Sequence, residues 1–153
     1  MLLWRLSGEQ HARTMNGGYG LFFDGRWNTV GHAVTYCATS PSLCVLEKLV
    51  HVEDPALMPK LVMVTYEVPD DLPAETVALE DLPQDWRRQE AWTQQRGDAW
   101  HEARASPLLQ VPSAVVPLPG SPDVNMLINH AHADAAAIRI ARMTPFVLDP
   151  RLF

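Results

Sequence analysis

GRWNTVGHAVTYCATSPSLCVLE, residues 25–47, places a loop, a strand and the opening turns of a helix in immediate succession. Its loop carries Arg26 between Gly25 and Gly31. Residues 33–38, AVTYCA, read as a strand on which Val34, Tyr36 and Ala38 share one face, because strand side chains alternate. Ser40-Pro41 reads as a helix start, and a helix is predicted over residues 40–52. Helical rotation of about 100° per residue sets Leu43, Leu46, Glu47 and Val50 on one face and turns Lys48 away. An unpartnered buried carboxylate is costly or neutralises itself. Glu47 therefore borders a cleft, meets a cation or hydrogen-bond donors, or sits at an edge where its carboxylate reaches water. The helical pattern alone leaves these open.

Working outward, residues 2–6, LLWRL, alternate and read as a strand, and residues 15–20, MNGGYG, read as a flexible glycine-rich loop. Residues 61–68, LVMVTYEV, form the clearest strand, bounded by Pro59 and Pro69. The acidic stretch from Pro69 to Pro83 reads as irregular. A helix is predicted within residues 88–105 from the spacing of Trp92, Ala99, Trp100 and Ala103, although Gly97 interrupts it. Residues 111–116, VPSAVV, read as a short strand carrying Ser113. The segment from Met126 to Phe146 is ambiguous between strand and helix, and a last strand is predicted at 145–149. Strands and helices mix without βαβ regularity, which implies an α+β fold. A length of 153 residues fits one domain, residues 1–153, with a core of its own.

Composition narrows the function. Hydrophobic residues make up 47% and charged residues 20%, as in a soluble globular protein. No apolar run approaches the ~20 residues of a membrane span. Arg5 and Glu9 interrupt what would be the core of a signal peptide, so a cytoplasmic location is expected. The formal charge is -6, with no Lys/Arg cluster to track phosphates, which argues against direct nucleic-acid binding. Cys37 and Cys44, the only cysteines, have neither CxxC spacing nor a disulfide framework and are expected to be reduced and buried.

The candidate chemistry is dispersed. Arg26 among glycines can approach a phosphate or carboxylate bidentately, or can be an ordinary turn residue. Tyr36 can stack on a planar ring or pack in the core. Ser113 lies outside any G-x-S-x-G elbow and has no identifiable His/Asp pair, which leaves it as a hydrogen-bond donor rather than a nucleophile. His130 and His132, with Asp134 beside them, make one half of a metal site without a second half, so no metal is expected. Neither GxGxxG nor a P-loop is present.

Taken in order, these features resemble the RES domain family. The first half is Gly25-Arg26-Trp27-Asn28, Gly31, Tyr36 and the Ser-Pro-Ser-Leu-x-x-Leu-Glu run ending in Glu47. Gly97-Asp98-x-Trp100, Val111-Pro112-Ser113-Ala114-Val115-Val116-Pro117, Asn125-x-Leu-Ile-Asn129 and the terminal Phe-x-x-Asp149-Pro-Arg151-Leu152 follow. The Arg, Glu and Ser that name the family map onto Arg26, Glu47 and Ser113. The family often reads Asn-Pro-x-His where this chain has Asn129-His130-Ala131-His132.

The resemblance implies a mixed β-sheet core similar to the ADP-ribosyltransferase fold. It implies the toxin of a bacterial type II toxin–antitoxin pair, consuming NAD+ as substrate with no prosthetic group. Cleavage of the nicotinamide–ribose bond would proceed by hydrolysis or phosphorolysis, or by ADP-ribose transfer to a protein. The implied partner is an Xre-like antitoxin whose C-terminal segment covers the active site in a hetero-oligomer and which itself binds DNA. Glu47 would face the ribose, Arg26 the pyrophosphate or a ribose, Tyr36 the nicotinamide ring, and Ser113 would orient Glu47 or a ribose hydroxyl. Arg5, Asn28 and Asn125 are further candidate ligand contacts. A non-catalytic module that captures a partner protein is the alternative from another class.

Overall fold

A computed structural model describes residues 1–153. Seven strands form one sheet: β1 (Leu2–Gly8), β2 (Val34–Ala38), β3 (Leu61–Glu67), β4 (Ala74–Thr76), β5 (Leu108–Pro112), β6 (Val124–Asn129) and β7 (Arg139–Phe146). Their order is β4-β5-β6-β2-β1-β3-β7. Every pairing is antiparallel except β4 with β5, so the sheet is mixed and the fold is α+β. Three helices accompany it: α1 (Gly18–Phe22), α2 (Pro41–Leu49) and α3 (Glu90–Ala103).

Register defines two faces. Trp4, Ala38, Asn125 and Val111 line up in one row across β1, β2, β6 and β5. At one end of this face, Leu43 and Cys44 of α2 pack with Ala38, Met63, Trp4 and Leu6. At the other, Trp27, Trp86 and Trp100 cover Val34, Leu109 and Leu127. Asn125 thus lies in the row that joins two separate apolar clusters. On the opposite face, Leu3, Cys37, Val64, Tyr66, Leu108 and Ile128 form a third cluster, closed by Ala12, Ala135 and Ile138 from the connecting segments. Both cysteines are free and buried, and burial pushes the Cys44 thiol up to about 12 and raises Cys37 as well.

Several elements differ from the sequence expectation for local reasons. The 15–20 segment contains the start of α1, and its glycines mark close packing rather than freedom. Gly17 has φ +67°, and a Cβ there would sit 2.4 Å from the Ala33 carbonyl carbon. The segment from Met126 to Phe146 resolves into β6, a 3-10 turn over Ala133–Ala137 and β7, so the Ala run makes a turn and not a helix. The last strand is β7, ending at Phe146 rather than running over 145–149. Pro145 is tolerated because β7 is the sheet's edge. β5 ends at Pro112, so Ser113 begins the turn after the strand and does not lie within it. No helix is long and apolar enough to cross a membrane.

Candidate active site

The α2 start carries out what Ser40-Pro41 promised. Ser40 Oγ accepts from Leu43 N (3.2 Å) and donates to Asp123 Oδ1 (2.6 Å), which ties the helix cap to the approach to β6. The apolar stripe is rotated from the expected one. Leu43 and Cys44 are buried, whereas Leu46 is 40% and Val50 59% exposed. Glu47 is half-buried beside Leu43 and Cys44, on the side that faces the sheet rather than the side shared with Val50.

There Glu47 meets hydrogen-bond donors. Ser113 Oγ donates to Glu47 Oε1 at 2.8 Å, and Asn125 Nδ2 donates to the same oxygen at 2.7 Å. Ser113 is fully buried, and its Oγ also accepts from Val115 N (3.0 Å) and Val116 N (3.1 Å). With two backbone donors on its lone pairs, the hydroxyl has only its proton to give, and gives it to Glu47. Oε1 is thereby fixed from β6 and from the turn after β5, while Oε2 has no partner within the chain. The result is an aimed carboxylate with one oxygen open to a hydroxyl or a developing positive charge.

Tyr36 lies next along the same face. Its backbone pairs with Leu127, and Ala38, two residues on, pairs with Asn125, so the Cα of Tyr36 is ~7 Å along the strand from the Asn125 row. Its hydroxyl donates to Asn28 Oδ1 (2.7 Å) and accepts from Trp27 N (3.0 Å). Burial raises its pKa and keeps it protonated. Tyr36 therefore stands on the same sheet face as Asn125 and holds the loop behind Arg26. Asn28 is fully buried, and its Nδ2 donates to the carbonyls of Phe23 (3.1 Å) and Thr29 (3.0 Å). With each polar atom engaged, Asn28 builds the loop, in contrast to the ligand contact expected of it.

Arg26 is half-buried at the rim. Its guanidinium lies 5.8 Å over the Trp86 ring, and Nη1 donates to Arg87 O (3.3 Å). This single hydrogen bond leaves its other N–H donors available for an anion. No hydrogen bond or ion pair joins Arg26 to Glu47.

Arg5 departs from the expectation. It alternates with Trp4 and Leu6, which face α2, and so lies with Leu3 on the opposite face of the sheet. Its Nη2 donates to Ser7 Oγ (2.9 Å) and His11 O (2.8 Å), and Nη1 to Thr14 O (3.3 Å). It closes the 11–14 segment there instead of meeting a ligand beside Glu47.

The two histidines of the HxH pair serve different contacts. His130 Nε2 meets Thr35 Oγ1 (2.8 Å), whereas His132 Nδ1 accepts from Asp134 N (3.1 Å) as a turn cap. Burial, then the nearby Arg5 and His101, lowers the His130 pKa to about 4. No group of three His, Cys, Asp or Glu side chains gathers closely enough to hold a metal ion.

Sequence reasoning missed the part played by α3. Gln94, Asp98 and Glu102 face the Arg26 loop and line an open concavity with Thr29 that shares no residue with the Glu47 group. The signal was present in Gly97-Asp98-x-Trp100. Gly97 is required because a Cβ there would lie 1.8 Å from Trp27 O. Asp98 accepts from Thr29, and Trp100 is buried with its Nε1 donating to Ser106 Oγ (3.0 Å).

A sequence model described as the RES domain matches residues 2–149. A protein of Sphingobium sp. (strain YBL2) named "Prs ADP-ribosylating toxin" is 33% identical, over 97% of this chain and 94% of its own. A "Toxin Res" of Pseudomonas putida is 36% identical over the whole of both chains. Another, of Photorhabdus laumondii, is 32% identical over 99% of this chain and 97% of its own. A chain of the crystal structure of the M. tuberculosis MbcT–MbcA toxin–antitoxin complex superposes with a TM-score of 0.68, covering 95% of this chain and 84% of that one. At 15% identity that likeness shows the fold alone. With a family match along nearly its full length, and with relatives above 30% identity end to end, the chain belongs to the RES domain family.

Proposed function

We propose that this protein is the toxin of a RES–Xre type II toxin–antitoxin pair and that it cleaves the nicotinamide–ribose bond of NAD+. The observation that carries the reading is the Glu47 carboxylate, fixed at Oε1 by Ser113 and Asn125 and open at Oε2. Nicotinamide in NAD+ already leaves from a cationic nitrogen, so the leaving group needs no proton donor. What the reaction needs is stabilisation of an oxocarbenium-like ribose by a preorganised negative group. Glu47 Oε2 would accept from the ribose 2′-hydroxyl and oppose the developing charge, as carboxylates do in glycoside cleavage. Ser113 and Asn125 would keep it from rotating away. Tyr36 would lie against the nicotinamide ring, and Arg26 would hold the pyrophosphate with its unengaged N–H groups.

NAD+ glycohydrolysis or phosphorolysis is the form of the reaction that this site supports most simply, because both need only a small acceptor at the cationic carbon. ADP-ribose transfer to a protein is a second reading, favoured by the Sphingobium relative, whose name states that activity. The single RES domain, a cytoplasmic location, and an Xre-like antitoxin whose C-terminal segment covers the site in a hetero-oligomer complete the proposal. The net charge of -6 leaves DNA binding to that partner.

The test is incubation of purified protein with NAD+, with and without phosphate, followed by mass analysis of the products. Free ADP-ribose indicates water as acceptor, a phosphorylated ADP-ribose indicates phosphate, and a mass added to a protein indicates transfer. With a cell extract added as a further arm to supply protein acceptors, intact NAD+ in every arm would sink the enzymatic reading and leave the interaction module.

A further inference from the structure

Helix α3 follows the Arg26 loop contact by contact. Gln94 Nε2 donates to Gly25 O (3.0 Å). Gly97 lets the helix backbone meet Trp27 O, where a Cβ would stand at 1.8 Å. Asp98 Oδ1 accepts from Thr29 N (2.9 Å), and Oδ2 accepts from Thr29 Oγ1 (2.7 Å). Glu102 Oε1 meets His32 Nε2 at 3.2 Å. Positions 94, 97, 98 and 102 share one helical face, so a single rigid stripe touches the loop at its start, middle and end. The stripe is polar because its counterpart is a loop backbone rather than a core. Arg26 lies between the first two contacts, and Asn28 between the second and third.

Asp98 is the centre of this clasp. It takes two hydrogen bonds from Thr29 and stands 3.2 Å from His32 Nδ1, with its side chain only 17% exposed. It touches nothing in the Glu47 group, which is held from β6 and the turn after β5. Building on the NAD+ reading above, we propose that Asp98 is a positioning residue: through Thr29 it aims the Arg26 loop, and so sets affinity for the dinucleotide without entering the cleavage step. Loosening the loop spreads Arg26 over more orientations and lowers the fraction ready to bind. The bond-breaking step at Glu47 is unaffected once NAD+ is bound. A general loss of fold behaves differently, since it removes active molecules and lowers apparent kcat at constant KM.

The experiment compares wild type with Asp98→Ala, Asp98→Asn and Thr29→Val by NAD+ steady-state kinetics and by hydrogen exchange of the intact chain. Hydrogen bonds to a charged group are strong enough for Asp98→Ala to raise KM about tenfold. kcat should stay within about twofold. Exchange should quicken at amides 25–32 and stay unchanged at 113–116 and 124–129. Asp98→Asn still accepts from Thr29 N and should give an intermediate KM. Thr29→Val keeps the Thr29 N bond to Asp98 and loses only the hydroxyl's contacts, to Asp98 Oδ2 (2.7 Å) and His32 Nδ1 (3.4 Å), and should give the smallest rise. Should Asp98→Ala fail to fold, the other two variants carry the same comparison. Unchanged KM in the folded variants, or kcat falling at constant KM, overturns the inference. Wild type that releases no nicotinamide overturns the NAD+ reading instead, and exchange at 25–32 still decides whether Asp98 holds the loop.

Discussion

Glu47 and Arg26 stand on one continuous stretch of chain, yet they are held in opposite ways. Glu47 is fixed at the side chain itself: two donors converge on one carboxylate oxygen, and one of them, Ser113, is fully buried. Arg26 is positioned through its neighbours, Gly25, Trp27 and Asn28, by Tyr36 from within and by α3 from without, while its guanidinium keeps one hydrogen bond and a stack on Trp86. A group that must oppose charge at one atom gains from a locked side chain. A group that clamps a flexible diphosphate gains from a fixed base and an adjustable end. Under the proposed function, the contrast would separate cleavage from binding, and the substitutions below test that separation.

Gly97→Ala should have the largest effect. The new methyl would collide with Trp27 O, which is backbone and cannot swing aside. Its cost should reach at least the top of the about 1–3 kcal/mol range for overpacking, read as a lower midpoint in urea denaturation. The Arg26 loop should detach with it.

Ser113→Ala should come next and should act on the other half. It removes one of two bonds to Glu47 Oε1 and leaves the amides of Val115 and Val116 without their acceptor. Turnover should fall about 10–100-fold with KM little changed, on the strength of a hydrogen bond to a charged group. A KM effect larger than the kcat effect would contradict the division.

Arg26→Ala should invert that pattern. NAD+ affinity measured by titration calorimetry should weaken about tenfold, with the melting temperature retained. Equal affinity would remove Arg26 from the binding role.

The smallest effect tests the far face of the sheet. The His130 pKa is lowered to about 4 by burial, then by Arg5 and His101, so the folded state favours the neutral ring. The stability this contributes is present above the ordinary value of 6.5 and declines as pH falls from 6.5 towards 4. His130→Asn should shrink the drop in urea midpoint between pH 7 and pH 5 without altering either kinetic constant at pH 7. An unchanged drop would show that His130 does not govern that limb.

Much of this arrangement was legible in the sequence because it rests on local rules. Ser40-Pro41 announced α2, and Pro59 and Pro69 bracketed β3. The carboxylate at Glu47 raised the question of a partner without settling it, and the family motif named Ser113, which lies 66 residues away and meets it. What was not legible depends on packing between distant segments. The face of α2 is rotated from the expected one: Leu43 and Cys44 take the buried positions, and Leu46 and Val50 stay exposed. Arg5 alternates correctly on its strand, but only the register of β1 with β2 reveals that its face is turned from Glu47. Gly97 looked like a flaw in a helix because its reason, the Trp27 carbonyl, lies 70 residues away in sequence. Asn28 looked like a ligand contact until its amide was found satisfied by the loop itself.

The central claim is that the aimed carboxylate of Glu47 breaks the nicotinamide–ribose bond. The most direct measurement is nicotinamide release from NAD+ by wild type and Glu47→Gln, matched for melting temperature and helix signal. The account predicts one nicotinamide released for each NAD+ lost by wild type, and a loss of turnover of at least about 100-fold in the variant. A folded Glu47→Gln protein that releases nicotinamide at the wild-type rate would contradict it.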